Sequence, residues 1–205
     1  MKTVIRLITF TLTLVLIVSC TSKPVKTIGN LKDAYNGEST ASVKYAAYAE
    51  KAKADGLENI AVMFHAISKS ESIHAENHKK VLEKLGEKVE APTIAPFTVL
   101  STAENLTDAI KGETYEVHVM YPEFIMEAKT AKANDAVKSF TWAVDTEKKH
   151  LAFYTTALEG LNSGAEKTLP LNWFVCPVCG NTFDAASVTA KCDFCLTPKE
   201  KFLAF

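Results

Sequence analysis

Two short stretches hold the residues with the most chemistry to offer: Glu71-Ser72-Ile73-His74 and Glu147-Lys148-Lys149-His150. On a helix, residues three apart share a face, so each stretch stacks a carboxylate beside an imidazole. Two such pairs, completed by a glutamate from each of two further helices, are the ligand pattern with which four-helix bundles hold a pair of metal ions. One Glu-x-x-His alone says little, because both residue types are common on solvated helix faces. The elements around the two pairs decide the matter.

Four segments have a helical hydrophobic period. The first, residues 30–54, has its apolar stripe at Leu31, Ala34, Tyr35, Ala41, Tyr45, Tyr48, Ala49 and Ala52, with Glu38 in the middle of it. Asp55-Gly56 turns the chain. The second, residues 57–85, points Ile60, Phe64, Ile67, Leu82 and Leu85 inward with Glu71, His74 and His78, and stops at Gly86. Residues 87–102 contain Pro92 and Pro96 and have no helical period; they read as a long crossover that lets a second helix pair join the first. The third segment opens on a capping box, Ser101-Thr102-Ala103-Glu104. Its stripe is Leu106, Ile110, Val117, Met120, Phe124 and Ala131, with Glu113 and Glu116 beside it, and Pro122 is expected to kink it. The fourth, residues 135–161, sends Val137, Phe140, Val144, Leu151, Tyr154 and Leu158 inward with Glu147 and His150.

Glu38, Glu71, Glu113, Glu116 and Glu147 are thereby expected to face one apolar core together with His74 and His150. Unpartnered ionised carboxylates there would cost on the order of several kcal/mol each. The lysines sit mostly off the stripes, and the only arginine is Arg6. Two divalent ions nearly balance the five carboxylates, so a dinuclear metal site makes this core tolerable. Mixed carboxylate and imidazole ligands suit iron or manganese, and zinc can bind them too. His65 and His118 fall off the stripes and read as surface residues. His78, one turn past His74, reads as a neighbour of the site or the core edge rather than a ligand.

From Asn172 onward the composition changes. Cys176-Pro177-Val178-Cys179 is followed, after twelve residues, by Cys192-Asp193-Phe194-Cys195. Two such knuckles in one short segment indicate a tetrahedral site with four thiolate ligands, which iron or zinc can fill. A segment this small needs the metal for its folding energy, with Trp173, Phe174, Phe183, Phe194 and Phe202 wrapped around it. Paired disulfides are the competing reading, but a ring closed over two intervening residues is small and strained.

Residues 1–20 read as an export signal. Lys2 and Arg6 precede an apolar run from Leu7 to Val18, and Ile17-Val18-Ser19 leads into Cys20. The run is shorter than the roughly 20 residues that span a bilayer. It resembles a bacterial lipoprotein signal with Cys20 as the lipidated residue, which implies a membrane-anchored protein of the periplasm or cell envelope. Residues 21–29, with Pro24, read as a tether. Removal of Lys2 and Arg6 with the signal takes the 23 basic residues to 21 against 24 acidic ones, a net charge of −3. That balance leaves no electrostatic footprint for nucleic acid, and without arginine the mature chain has no bidentate clamp for phosphate.

With these residues in place, residues 30–205 resemble the rubrerythrin family. The order matches: an all-α ferritin-like four-helix bundle (residues 30–162), a linker (163–171) and a small rubredoxin-like four-cysteine domain (172–205). Gly37-Glu38-Ser39, Gly112-Glu113-x-x-Glu116, Met120-Tyr121-Pro122 and both Glu-x-x-His pairs resemble the family's motifs. The resemblance implies two non-heme irons bridged by Glu71 and Glu147, with Glu38, Glu113, Glu116 and His150 as terminal ligands. It implies that His74 replaces Glu116 on one iron when the pair is reduced, and that Tyr45 and Tyr121 hydrogen-bond near the site. Cys176, Cys179, Cys192 and Cys195 would hold a third iron, zinc being the alternative. The implied chemistry is reduction of hydrogen peroxide to water in oxidative-stress defence, with electrons relayed through the four-cysteine iron from an unidentified donor protein. A homodimer is expected, its two kinds of centre meeting head-to-tail across the interface.

The chain departs from the family pattern at Asp193, where proline is commoner, and at Leu196, where a small residue is commoner. It also has Ala41, Ser42 and Lys44 where arginines often follow Gly-Glu-Ser. No ligand is lost. Two other functions use the same residues: a ferroxidase with ferrous iron as substrate, and a non-enzymatic metal-binding or redox-sensing protein whose ribbon holds zinc and docks a partner.

Overall fold

A computed structural model describes residues 23–205; the export signal and Cys20 lie outside the described residues. Helix α1 (Val25–Ala54) and helix α2 (Glu58–Lys84) form a hairpin turned at Gly56, whose φ of 75° suits glycine. The first helix starts earlier than its stripe suggests. Thr27, Ile28 and Asn30 are already buried, so most of the expected tether is helix. Pro24 explains the start, since proline's fixed φ opens a helix without wasting a donor.

Residues 87–101 form the expected crossover and lie along α1, where Thr93 donates its N–H to Asn36 and Ala95 donates to Thr40. Helix α3 (Thr102–Tyr115) begins with the capping box in place: Ser101 Oγ accepts from the Glu104 N–H and Glu104 accepts from the Ser101 N–H. The disruption expected at Pro122 takes the form of a π turn over Glu116–Met120, after which the helix resumes as α4 (Tyr121–Thr130). Proline has no N–H to offer the preceding turn, and the wider i→i+5 turn absorbs one residue before it. Helix α5 (Asn134–Ser163) completes the bundle and ends on Gly164 in the left-handed conformation. Ala131 lies beyond the end of α4 and is exposed, contrary to its expected place on the stripe.

One core joins Tyr45, Tyr48, Phe64, Ile67, Leu106 and Tyr154 at one end of the bundle, and a second joins Leu31, Leu82, Tyr121, Ala136 and Phe140 at the other. The glutamates and histidines lie between them. Among the described residues no helix is long and apolar enough to cross a membrane.

The carboxy-terminal domain is a three-stranded antiparallel sheet. Strand β1 (Trp173–Val175) pairs with β2 (Thr182–Asp184) on one side and β3 (Leu203–Ala204) on the other. Trp173 and Val175 belong to the same apolar cluster as Tyr45 and Phe64 of the bundle, so the small domain is packed onto its own chain. Trp173 meets Phe153 of α5 edge-on at 4.8 Å between ring centroids. The two kinds of centre therefore lie side by side within one chain.

Candidate metal centres

The buried middle of the bundle contains two overlapping quartets. Glu38, Glu71, His74 and Glu147 bring one ligand atom each to within 4.8 Å of one another, and so do Glu71, Glu113, Glu147 and His150. Glu71 and Glu147 belong to both, as bridging carboxylates must; Glu38 and His74 flank one position and Glu113 and His150 the other. All six side chains are at most 1 % exposed. Between them Glu38 Oε2, Glu71 Oε1, Glu113 Oε2, both Glu147 oxygens and His150 Nδ1 have no partner beyond the histidine–glutamate contacts inside the cluster itself. Buried polar atoms are rarely left so, and this cluster fits a pair of metal ions.

The imidazoles are oriented for that purpose. His150 Nδ1 lies 2.6 Å from Glu147 and 3.0 Å from Glu71, and His74 Nδ1 lies 2.8 Å from Glu147 and 3.0 Å from Glu71. Thr182 donates its hydroxyl to the Gly180 carbonyl at 3.2 Å, so its oxygen accepts from His150 Nε2 at 2.9 Å. That places the His150 proton on Nε2 and frees Nδ1 for a metal.

Proton affinities without metal follow from burial and charge. Burial, then the neighbouring carboxylates, push Glu38, Glu113 and Glu116 well above the ordinary carboxylate range. Burial opposes ionisation of Glu71, yet His150 and His74 hold it down at about 2. Burial likewise opposes charge on the imidazoles, but Glu147 and Glu71 lift His74 to about 10, and the same two lift His150 to about 9. Protons here take the places of cations.

Glu116 stands apart from both quartets. It is half-buried and lines a cavity of about 230 Å³ with Gly37, Thr40, Tyr45 and Gly112, under Thr93 and Ala95 of the crossover. Tyr45 donates to Glu113 Oε1 at 2.9 Å, and Tyr121 donates to Glu38 Oε1. His65 and His118 are exposed, as expected. His78 is fully buried between Ser139 and Tyr121.

In the small domain the four sulfurs also lie within 4.8 Å of one another. The pairs Cys176–Cys195 and Cys179–Cys192 stand at 3.4 Å. A disulfide needs about 2.05 Å, whereas the edge of a tetrahedron with metal–sulfur bonds of 2.3 Å is about 3.8 Å. All four cysteines are free, and the cage suits one metal ion. Leu196, the departure in the second knuckle, has φ 62° and is exposed. That conformation explains why residues without a large side chain are preferred there.

The first knuckle rests directly on the bundle. Gly180 packs so tightly on His74 that a Cβ there would come within 2.3 Å of its Nε2, and Ser70 donates to the Gly180 carbonyl at 2.6 Å. Asn77 donates to the Val178 carbonyl at 2.9 Å. Lys149, inside the second Glu-x-x-His, donates to Asn181 at 2.7 Å and lies 3.6 Å from Asp193, over the rings of Phe183 and Phe194. Asp193 also accepts from Asn181 at 2.5 Å, so this departure from the family pattern serves the docking. Sequence reasoning missed Ser70, Lys149, Gly180 and Thr182. Only the position of Lys149 between two ligands offered a signal.

Fold and site together define a ferritin-like protein whose buried glutamates and histidines fit a dinuclear metal site, with an attached rubredoxin-like domain. Residues 29–158 match the rubrerythrin family model. The chain is 32% identical to rubrerythrin-2 of Clostridium acetobutylicum over 89% of this chain and 98% of that one. It is 34% identical to nigerythrin of Nitratidesulfovibrio vulgaris over 87% and 86%. It also superimposes on the fully reduced, all-ferrous state of nigerythrin with a TM-score of 0.78 at 33% identity, over 87% of this chain and 86% of that one. The chain belongs to the rubrerythrin family. That family binds a di-iron site and comprises oxidoreductases of peroxidase type that act in oxidative-stress defence; the two quartets and the four cysteines here fit iron.

Proposed function

We propose that this chain reduces hydrogen peroxide to water, taking up two electrons and two protons as the O–O bond breaks and releasing two water molecules. The observation that carries this reading is the contact of the four-cysteine knuckle with His74 through Gly180 and with His150 through Thr182. An electron store is useful beside the bundle site if that site must be re-reduced after each turnover; a ferroxidase has no such need. Bound iron supplies the two electrons at the bundle, and thiolate-bound iron supplies their replacements.

The residues around the site have roles that follow from position. The small cavity over Gly37, Gly112 and Glu116 admits a molecule the size of peroxide, and the crossover restricts its mouth. Glu116 is the alternative ligand to His74, outside the quartets when His74 is inside. Tyr45 and Tyr121 hold one oxygen each of Glu113 and Glu38, leaving the other oxygen for metal.

The export signal and Cys20 make this a lipid-anchored protein of the cell envelope, served by a donor protein on the same side of the membrane. A homodimer is the expected assembly, each chain carrying its own pair of centres. To test the function, residues 21–205 are loaded with iron without oxygen, reduced, and given less than one equivalent of peroxide while the colour of the ferric thiolate site is followed. Rapid colour that a Glu71→Ala variant fails to give supports peroxide reduction with internal electron transfer. A cysteine site that holds zinc and stays colourless removes the electron-transfer half.

A further inference from the structure

The cavity over Gly37 and Gly112 is larger than hydrogen peroxide needs. Its volume is about 230 Å³. A water in the liquid occupies roughly 30 Å³, and a protein cavity of about 150 Å³ takes up benzene. A molecule of two heavy atoms fills only a small part of the space.

The polar groups free to meet a ligand are gathered at one end. Glu116 and Tyr45 line the cavity beside the metal ligands: Tyr45 donates to Glu113 at 2.9 Å, and Glu116 feels the charge of Glu147 and Glu71. The other polar side chains of the wall are already committed. Thr40 Oγ1 donates to the Asn36 carbonyl at 2.8 Å and accepts from the Ala95 N–H at 3.1 Å, while Asn36 Oδ1 accepts from the Thr93 N–H at 2.9 Å. Lys44 donates to Asp108 at 2.7 Å. What remains is Gly37, Ala41, Ala95 and Gly112, none of which has a polar side chain. A polar head and an apolar body are the usual division of a small-molecule site. Hydrogen peroxide is polar at both ends and uses only the head. A hydroperoxide with one organic group, R–O–O–H, uses both.

Gly37 keeps the body of the cavity open. Its φ is not positive, and a Cβ built on it would have nothing within 4 Å, so neither backbone conformation nor close packing requires glycine there. Glycine is also a poor helix former. The remaining consequence of glycine at this position, in the middle of α1, is the room it leaves.

We propose that this cavity takes the organic group of a small alkyl or aryl hydroperoxide, that the chain reduces such hydroperoxides to alcohols, and that Gly37 determines how large a group is accepted. The inference rests on the peroxide-reductase reading and uses the same site. The O–O bond breaks, and two electrons and two protons enter. The oxygen bonded to carbon leaves as the alcohol, the other leaves as water, and the C–O bond stays intact. The electrons have the same source as for hydrogen peroxide, the reduced metal pair, and the protons come from solvent.

The test uses iron-loaded residues 21–205 as wild type, Gly37→Ala and Gly37→Leu, with cumene hydroperoxide and hydrogen peroxide compared in single turnover. Wild type is expected to consume both. The ratio of the cumene hydroperoxide rate to the hydrogen peroxide rate should fall stepwise with side-chain size at residue 37, by about tenfold or more for Gly37→Leu. Iron content and melting temperature check that each variant is folded; if Gly37→Leu is not, Gly37→Ala carries the test with a smaller fall. A second readout needs no turnover. Cumyl alcohol, the product, should shift the amide signals of Gly37, Ala41 and Gly112 in the zinc-loaded chain and bind about tenfold more weakly to Gly37→Leu. A wild type that consumes hydrogen peroxide but not cumene hydroperoxide would overturn the proposal, as would an unchanged rate ratio in the folded variants. If wild type leaves both peroxides intact, the peroxide-reductase reading falls and takes hydroperoxide reduction with it, and cumyl alcohol binding alone decides whether the cavity holds an organic group.

Discussion

Replacing Gly180 by alanine perturbs the docked arrangement at its tightest point. The backbone there has φ 84°, and the new Cβ would lie 2.3 Å from His74 Nε2, 2.5 Å from His74 Cδ2 and 3.3 Å from the Ser70 carbonyl. Two penalties follow. The left-handed backbone costs a non-glycine residue about 1 kcal/mol, which acts on the fold of the small domain. The close contact acts on docking: non-bonded heavy atoms rest near 3.5 Å, so the knuckle must withdraw by about 1 Å. His74 is held by Glu71 and Glu147 and has little room to yield. Withdrawal breaks the hydrogen bond from Ser70 and strains the one from His150 to Thr182, a loss of about 1–2 kcal/mol in docking, or on the order of tenfold in the docking equilibrium constant. Gly164→Ala is the control, because Gly164 also has a positive φ, 70°, but nothing lies near its Cβ. In the single-turnover peroxide assay, Gly180→Ala should keep three irons per chain and develop the ferric thiolate colour about tenfold more slowly than Gly164→Ala. Equal rates and equal melting temperatures in the two variants would refute the reasoning, and with it the functional importance of the contact within one chain.

Other predictions are simpler. Colour development in the same assay should keep its rate over a hundredfold dilution, since both centres belong to one chain; a rate that falls with concentration would assign the electron transfer to a contact between chains. Leu196→Gly should stabilise the small domain by about 1 kcal/mol in denaturant unfolding, by relieving the positive φ. Metal-free protein should lose stability as pH rises from about 5.5 to about 9. The raised His74 and His150 contribute fully below their ordinary 6.5 and fade as pH climbs through about 9 to 10. Glu38, Glu113 and Glu116 are also raised by burial and lose ground once pH passes their ordinary 4.5. Glu71 acts in the opposite sense, its contribution vanishing as pH falls from 4.5 toward 2. Melting temperatures across pH, with and without metal, check this, and the gain from metal should be larger at pH 8 than at pH 6. Tyr45→Phe should leave Glu113 without its hydrogen bond and cost about 1–3 kcal/mol in the metal-free protein, again read from unfolding.

The ligands were legible because their chemistry conflicts with their surroundings. A glutamate such as Glu38 in the middle of an apolar stripe has few explanations, and the three-residue spacing of Glu71 and His74 sets their geometry locally. The capping box at Ser101 and the stop at Gly86 were readable for the same reason, as each depends on a few adjacent residues. What could not be read depends on distant groups. Gly180 and Ser70 meet through a backbone carbonyl, 110 residues apart, and neither residue type advertises the contact. Thr182 looks like any strand threonine until His150 is placed beside it. His78 was recognisable as a neighbour of the site, but its buried partners Tyr121 and Ser139 come from two other helices. The early start of α1 was missed because polar Thr27 and Asn30 hid a buried face; Pro24 was the available signal.

The π turn at Glu116–Met120 has a consequence for angular phase. An α-helix advances about 100° per residue, so two residues eight apart, such as Glu113 and Tyr121, would differ by about 80° in direction. A wider turn that takes up one extra residue cuts the effective separation to seven and the mismatch to about 20°. Only then can Glu113 face Tyr45 while Tyr121 faces Glu38 from the same helix. Deleting a single residue between Val117 and Met120 would leave a regular helix with the two residues seven apart and still in phase, whereas α-helical pitch at the present length would swing one of the two out of the site, so the extra residue and the π turn belong together.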